Sequence, residues 1–241
     1  MSLTLLISEI YLSLQGESSF AGLPCVFIRT TGCDLRCSYC HSAYAFKGGR
    51  RMTVAEVLDT VNGLAERYRG TVAWRRLPLV ELTGGEPLIQ PASQPLMTAL
   101  CDLGFVVLLE TSGAHEVGNV DGRVRRIMDL KGPSSGESAR IFWPNLERLK
   151  DTDEIKFVLG TVADYEWMKG VLVERNLAGI CPVLVSWVTP LAPGQRDSSL
   201  KASPPGQEPI SRRDLAERII ADRSEERRVG KACRSRWSAL P

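Results

Sequence analysis

Apolar runs of four to seven residues, rich in Val, Ile, Leu and Phe, recur along the chain between amphipathic stretches. A short apolar run bounded by turn residues is typical of a buried strand. We therefore predict six strands, at residues 25–29, 79–82, 105–109, 127–130, 154–159 and 181–187.

Helical periodicity separates several of these strands. It is clearest after Thr53, where Thr53 and Glu56 have the spacing of a capping box and apolar residues follow at helical intervals. Further helices are predicted at residues 95–103, 163–174 and 212–221. Alternating strands and helices indicate an α/β fold with parallel strands, here a partial (β/α)6 barrel-like sheet. In such a fold, functional residues gather at the carboxyl ends of the strands.

The carboxyl-terminal part of the chain has a different character. Residues 191–209 are rich in Pro, Gly, Ser and charge, which predicts a loop. Residues 223–241 have neither strand nor helix periodicity, so we expect a disordered basic or aberrant tail there. The prediction is a single domain over residues 1–222.

Composition narrows the class of protein. The 241 residues are 44% hydrophobic and 24% charged, which suits one sizeable core and predicts no membrane association. Residues 223–241 hold six of the 30 Lys and Arg and two of the 28 Asp and Glu, so residues 1–222 carry a net charge of −2. A net charge so close to zero argues against a nucleic-acid partner. Seven cysteines, without a recognisable export signal at the start of the sequence, favour a reducing compartment, and we expect a cytoplasmic protein.

Three of the cysteines follow the first predicted strand. Cys33, Cys37 and Cys40 have CxxxCxxC spacing. Three thiolates so placed can hold three irons of a [4Fe–4S] cluster and leave the fourth iron open to a small molecule. The spacing therefore favours an iron–sulfur site with a vacant coordination position.

Two other interpretations use the same segment. Residues 37–41 also match the CxxCH pattern of c-type haem attachment, which normally requires export. A structural zinc site with His41 or Cys25 as fourth ligand is the second, although structural zinc usually takes two separated ligand pairs. No second pair follows, because Cys101, Cys181 and Cys233 occur singly.

The cysteine spacing resembles the signature of the radical S-adenosylmethionine enzymes, in which the cofactor's methionyl group chelates the open iron. That superfamily also carries a Gly-Gly-Glu-Pro turn after its second strand, and residues 84–87 match it. The resemblance implies a radical S-adenosylmethionine fold, a [4Fe–4S] cluster and S-adenosylmethionine. It assigns cluster binding to the three cysteines, and cofactor binding to Tyr39, Gly84, Gly85 and Glu86.

Three further segments are similar to the 7-carboxy-7-deazaguanine synthase family: SLQGE at 13–17, ETSG at 110–113 and DLKGPSSG at 129–136. Members of this family, which serve queuosine biosynthesis, are lyases that convert 6-carboxy-5,6,7,8-tetrahydropterin into 7-carboxy-7-deazaguanine and release ammonia. The likeness covers about residues 7–187. It implies a pterin substrate, an electron donor such as flavodoxin, and a homodimer.

The resemblance also assigns individual residues. Arg29 is expected to bind the substrate carboxylate, which suits the two-pronged guanidinium, with a surface salt bridge as the alternative. The other expected substrate contacts are Leu14, Gln15, Gly16, Thr83 and Glu110. Lys131 and Ser134 are expected to contact the cofactor.

Two departures from the family pattern stand out. The family has Cys-Asp-Thr where this chain has Cys40-His41-Ser42, and the family's threonine hydroxyl coordinates Mg²⁺. Ser42 offers the same oxygen, so we expect it to bind Mg²⁺. The second departure follows residue 221, where the likeness stops and a wall of the substrate pocket is expected to be missing. The alternative functions are a radical-activating enzyme that forms a glycyl radical on a partner protein, and a non-catalytic metal-binding module.

Overall fold

The computed structural model describes residues 3–66, 77–192 and 194–222, so the predicted tail at 223–241 lies outside the described residues. Within these ranges the strands form one eight-stranded sheet in the order β3-β1-β2-β4-β5-β6-β7-β8. The strands are β1 (Thr4–Leu14), β2 (Pro24–Thr30), β3 (Arg50–Thr53), β4 (Leu79–Gly84), β5 (Val106–Thr111), β6 (Arg125–Leu130), β7 (Glu154–Leu159) and β8 (Val183–Trp187). The helices are α1 (Val54–Glu66), α2 (Ser93–Asp102), α3 (Val162–Glu174) and α4 (Arg212–Ala221).

The six predicted strands are confirmed, and they are the parallel part of the sheet. β2 pairs in parallel with β4, and each strand from β4 to β8 pairs in parallel with the next. The α/β fold class is therefore confirmed as an open, mostly parallel sheet.

Two strands were not predicted from the sequence. β1 pairs antiparallel with β2 on one side and with β3 on the other. β1 is only half-buried along much of its length, and β3 has four residues, of which Met52 alone is buried. Neither strand forms the continuous apolar run that identified the six parallel strands.

The four predicted helices are confirmed within two residues. α1 begins after the capping box, in which the Thr53 N–H donates to Glu56 Oε2 at 2.7 Å and the Glu56 N–H donates to Thr53 Oγ1 at 3.2 Å. The described links from β5 to β6 and from β6 to β7 contain no α-helix, and the second consists of short 3-10 turns. Pro133 and Pro144 stand in that second link, where they disfavour a continuous helix. None of the helices in the described ranges is long and apolar enough to cross a membrane.

The two faces of the sheet bury different side chains. The outer face packs against the helices and forms the large core, which includes Ile28, Leu82, Leu109 and Phe157. The inner face carries a smaller apolar cluster, Cys25, Phe27, Leu79, Leu108 and Ile127, against which Tyr11 and Phe20 pack. Because side chains alternate along each strand, the next inner positions toward the strand ends are Arg29, Glu81, Glu110 and Asp129. The fold therefore gathers charged groups on the inner face near the carboxyl ends of its strands.

Candidate active site

The cysteine loop follows β2 directly and is folded back on itself. The Cys40 N–H donates to the Cys37 carbonyl at 3.2 Å, and the Gly32 N–H donates to the Ala45 carbonyl at 2.8 Å. All three thiols are free. Burial raises the pKa of Cys33 to about 12 and that of Cys37 to about 11. A bound cation would favour the thiolate forms that metal ligation requires.

The segment after β6 supports the cysteine loop from the side. The Ser38 N–H donates to the Ser135 carbonyl at 3.0 Å, and Ser38 Oγ donates to the Ser134 carbonyl at 2.6 Å. The buried carboxylate of Glu137 accepts the Arg36 N–H at 2.6 Å. The DLKGPSSG segment and the cysteine loop therefore form one hydrogen-bonded unit.

The Gly-Gly-Glu-Pro turn packs against the entrance of the same loop. Gly84 has a φ of +138°, and the Gly85 N–H donates to the Thr30 carbonyl at 3.2 Å. The Glu86 N–H donates to the Gly32 carbonyl at 2.8 Å. A Cβ on Gly85 would lie 1.9 Å from the carbonyl oxygen of Gly32, so glycine is required by this close approach.

Glu86 is fully buried, and its carboxylate holds two strand ends together. One oxygen accepts the Leu88 N–H at 3.1 Å and the Thr111 hydroxyl at 2.8 Å. The other accepts the N–H and the hydroxyl of Ser112, at 2.8 and 2.6 Å. These partners show that Glu86 ties the turn after β4 to the ETSG segment after β5.

Unpartnered polar atoms mark the space beside the cysteine loop. Ser134 Oγ and Asp129 Oδ1 are buried and have no hydrogen-bond partner among the residues that the structure describes. The Ser134 N–H donates to Asp164 at 2.8 Å, and Lys131 lies 2.7 Å from the other oxygen of Asp129. Because buried polar atoms are normally paired, orphaned atoms at the strand ends suit a polar ligand. Tyr39 reaches the same region, where its hydroxyl is 3.4 Å from the Val158 carbonyl.

Three expected substrate contacts lie where β1 ends and the loop to β2 begins. Gln15 is 3% exposed, and both ends of its side-chain amide bond other parts of the protein. Its Oε1 accepts the N–H groups of Glu17 and Ser18, at 2.6 and 2.9 Å, and its Nε2 donates to Glu81 at 2.7 Å. Leu14 and Gly16, by contrast, are exposed. Gln15 therefore organises the loop that presents its two neighbours.

Arg29 stands at the end of β2 in a fixed orientation. Its Nε donates to Glu9 at 2.7 Å and its Nη2 donates to the Tyr11 hydroxyl at 2.9 Å. The Tyr44 hydroxyl donates to the same carboxylate at 2.8 Å. The side chain of Arg29 is 15% exposed, so the ion pair with Glu9 is a partly buried one that orients the guanidinium. Sequence reasoning identified Arg29 and missed these three partners.

Thr83 and Glu110 lie on the neighbouring strands. Thr83 stands opposite Arg29 in the β2–β4 register, and its hydroxyl donates to Glu110 at 2.9 Å. The ammonium of Lys156, on β7, lies 2.5 Å from the second oxygen of Glu110. Burial alone would raise the pKa of Glu110, but the Lys156 charge and the hydrogen bonds lower it below its ordinary value. Glu110 is therefore an ionised, oriented acceptor.

Sequence reasoning missed Lys156, Glu81 and Glu17. All three belong to the charged group on the inner face, and Lys156 and Glu81 stand within apolar strands. A charged residue inside a buried strand is rarely tolerated without a partner, and this was the available signal.

Ser42 and His41 follow the last cysteine. The Ser42 hydroxyl makes no capping hydrogen bond to the short 3-10 helix that begins at Ala43. His41 Nε2 is 2.7 Å from the Thr189 carbonyl, in the loop after β8. Within the described ranges, no three His, Cys, Asp or Glu side chains converge closely enough to hold a single metal ion.

Comparisons with known proteins decide the family. Residues 27–132 match the profile of the Radical SAM superfamily. A 7-carboxy-7-deazaguanine synthase of Koribacter versatilis is 45% identical over 172 residues, which are 71% of this chain and 72% of that protein. The enzyme of that name from Chlorobaculum tepidum is 42% identical over 181 residues, 74% of this chain and 77% of that protein. The chain belongs to the 7-carboxy-7-deazaguanine synthase family. It is a radical S-adenosylmethionine lyase of queuosine biosynthesis.

The fold agrees with this family. The crystal structure of QueE from Escherichia coli superimposes with a TM-score of 0.61 at 24% identity, covering 77% of this chain and 85% of that one. Membership of the radical S-adenosylmethionine superfamily implies a [4Fe–4S] cluster and S-adenosylmethionine. Three free thiols in one loop, the glycine turn packed on it and the orphaned oxygens of Asp129 and Ser134 fit these groups.

Proposed function

We propose that this protein converts 6-carboxy-5,6,7,8-tetrahydropterin into 7-carboxy-7-deazaguanine with release of ammonia. The observation that carries the proposal is the row formed by Arg29, Thr83 and Glu110 on β2, β4 and β5. A guanidinium, a hydroxyl and a carboxylate follow one another along the inner face. This order matches a flat ring that carries a carboxylate at one end and N–H donors at the other.

In this proposal, Arg29 binds the substrate carboxylate through parallel charge-assisted hydrogen bonds. Glu9 and Tyr11 each accept a hydrogen bond from one N–H of the guanidinium, and these bonds fix its plane. Glu110 accepts the N–H donors of the opposite ring edge, while Thr83 contacts the ring between them. Leu14 and Gly16 border the ring, held in place by the side chain of Gln15.

The cofactors are assigned to residues at the carboxyl ends of the strands. Cys33, Cys37 and Cys40 would hold the [4Fe–4S] cluster, which together with S-adenosylmethionine would supply radical chemistry when bound. The cofactor is bound by Gly84, Gly85, Glu86, Lys131, Ser134 and Tyr39. Glu86 acts by holding the turn, because its hydrogen bonds go to protein groups.

The proposal also includes a Mg²⁺ ion bound by the hydroxyl of Ser42. A hydroxyl oxygen suits a hard cation that keeps several waters. The hydroxyl of Ser42 is not used to cap the helix that follows it, which supports this role. His41 bonds the Thr189 carbonyl, so its imidazole has a protein partner of its own.

We further propose that residues 1–222 are one domain, that the protein is a cytoplasmic homodimer, and that a donor such as flavodoxin supplies the electron. These points follow from the resemblance to the family. They are tested by light scattering, by fractionation and by activity with purified flavodoxin.

The proposed reaction is tested by an anaerobic assay of iron-reconstituted protein. The mixture contains S-adenosylmethionine, a reductant, Mg²⁺ and 6-carboxy-5,6,7,8-tetrahydropterin, and mass spectrometry measures 7-carboxy-7-deazaguanine and 5′-deoxyadenosine. We expect the deazaguanine to accumulate over many turnovers. Formation of 5′-deoxyadenosine without the deazaguanine would mean that the cofactor site is intact and the proposed substrate is wrong.

A further inference from the structure

Lys156 is a buried ammonium near the middle of the inner face. Its side chain is 4% exposed, and it contacts carboxylates from two separate parts of the chain. Glu110 of β5 lies at 2.5 Å and Glu17, in the loop after β1, lies at 2.6 Å. Asp129 of β6 is 3.8 Å away. A buried lysine stays charged only when such partners offset its loss of hydration.

The first consequence concerns the orientation of Glu110. One of its oxygens accepts from Lys156 and the other accepts from the Thr83 hydroxyl. A carboxylate has about four acceptor positions, so both oxygens keep capacity for further N–H donors. The two protein contacts fix the plane in which those donors must arrive.

The second consequence concerns the loop of residues 15–23. Besides the packing of Phe20 on the inner face, three polar contacts join this loop to the sheet: Gln15 to Glu81 at 2.7 Å, the Ser19 N–H to Glu154 at 3.0 Å, and Glu17 to Lys156. The side chains of Gln15 and Glu154 are buried, whereas that of Glu17 is 59% exposed. Of these three contacts, the Glu17–Lys156 pair is therefore the one whose carboxylate is exposed to solvent.

We propose that Lys156 is a positioning residue for the substrate. Its ammonium orients Glu110 for a ring edge with two adjacent N–H donors and, through Glu17, holds the 15–23 loop against the inner face. The assignment of Glu110 to the substrate rests on the proposed function. A ring that lacks the amino group would leave one acceptor position of the Glu110 carboxylate without a donor, so the same arrangement selects for the aminopyrimidinone edge.

The test uses Lys156→Met, which keeps the length of the side chain and removes its charge. We expect the iron content to stay at the wild-type value while KM for the tetrahydropterin rises at least about tenfold. The Lys156 charge is the largest of the effects that lower the pKa of Glu110 against burial, so this pKa should rise in the variant and KM should depend on pH more strongly than in the wild-type protein.

A double-mutant cycle shows whether Lys156 acts through Glu110. Glu110→Gln alone should raise KM, and adding Lys156→Met to it should raise KM by a smaller factor than Lys156→Met does in the wild-type protein, because only the contribution through Glu17 remains. The double variant also removes both buried charges together, which preserves folding if Lys156→Met alone is unstable. Glu17→Gln is the matched variant for the loop, and hydrogen exchange of residues 15–23 should accelerate in Glu17→Gln and in Lys156→Met.

Binding of 6-carboxypterin to protein without its cluster separates this proposal from the proposed function. Wild-type protein that binds the probe but forms no deazaguanine would contradict the proposed reaction. The double-mutant cycle of Lys156 and Glu110 would then be measured as changes in the Kd for the probe. A Lys156→Met variant with wild-type probe affinity and wild-type exchange of residues 15–23 would overturn the role of Lys156. Effects of Lys156→Met and Glu110→Gln that simply add would also overturn it.

Discussion

Gln15 donates its Nε2 hydrogen to Glu81 at 2.7 Å across the inner face of the sheet. The carboxyl group of Glu81 is 2% exposed. Burial first, and then the negative charge of Glu110, raise the pKa of Glu81 to about 8, against the opposing effects of Gln15 and Lys156. The folded protein therefore holds a neutral carboxyl group where the unfolded chain has an ionised one.

This difference predicts a pH dependence of stability. Between about pH 4.5 and pH 8 the unfolded chain releases a proton from Glu81 that the folded protein keeps. The free energy of unfolding should therefore fall as pH rises through this window, by at most about 1.4 kcal/mol per pH unit. Glu81→Gln should remove the effect, as measured by urea unfolding at pH 5, 6.5 and 8. Glu116→Gln, at an exposed position, is the control and should leave the wild-type slope. Parallel curves for wild type and Glu81→Gln would refute the prediction.

The cluster and the substrate should depend on different residues. Cys37→Ala removes one of three thiols, so we expect loss of the cluster's iron and of S-adenosylmethionine cleavage. Arg29→Ala should keep the iron content and raise KM by about 10- to 100-fold, because a charge-assisted hydrogen bond contributes about 1.5–3 kcal/mol. Iron analysis and steady-state kinetics on both variants distinguish the two roles. Arg29→Lys keeps the charge without the planar fork and should rescue KM only in part. Equal loss of iron in the Cys37 and Arg29 variants would contradict this division.

The contact between Gly85 and Gly32 should tolerate no side chain. Gly85→Ala places a Cβ 1.9 Å from a backbone oxygen, so the turn or the cysteine loop must move. We expect destabilisation by more than about 2 kcal/mol and poor retention of iron after reconstitution. Gly63→Ala is the matched control, because Gly63 lies within α1 with nothing within 4 Å of its added Cβ. It should stabilise the protein by about 0.5–1 kcal/mol in a thermal melt. A Gly85→Ala variant as stable as wild type would show that the two segments move apart easily.

Removal of Mg²⁺ tests the role of Ser42. After treatment with EDTA, the rate of product formation should recover as Mg²⁺ is added back to wild-type protein. Ser42→Ala lacks the ligand oxygen, so about tenfold more Mg²⁺ should be needed for half-maximal activity, whereas Ser42→Thr should respond as wild type does. An equal Mg²⁺ response in Ser42→Ala and wild type would exclude this residue as a ligand.

The sequence predicted those parts of the molecule in which local pattern and tertiary environment agree. The strand that contains Glu81 and the turn at Gly84 were predicted because apolar residues and paired glycines are local signals. β1 was missed because its burial depends on β3 and on β2, which approach it from opposite sides. Its side chains alternate too weakly for a half-buried strand to be recognised from the sequence.

The residues of the candidate site show the same contrast between local and long-range signals. The cysteine spacing predicted a cluster site, and the resemblance to the family predicted roles for Arg29 and Glu110. Neither pointed to Lys156, which is separated from Glu17 by 139 positions in sequence, because such a pair forms only when β7 and the first loop meet. The hydrogen bond from the Gln15 side chain to Glu81, 66 positions away, likewise could not be predicted, and the substrate contact of Gln15 stays a prediction. Long-range pairing of charges leaves little trace in a single sequence.

Glu81, Glu110, Asp129 and Lys156 come from four successive neighbours in the sheet, β4, β5, β6 and β7. Their positions are therefore set by strand pairing and not by the connecting loops. Relatives can gain or lose residues in those connections without moving the four side chains. A single insertion within β5 would instead turn Glu110 toward the outer face, where the helices pack. Insertions and deletions that preserve activity should accordingly be confined to the segments between strands.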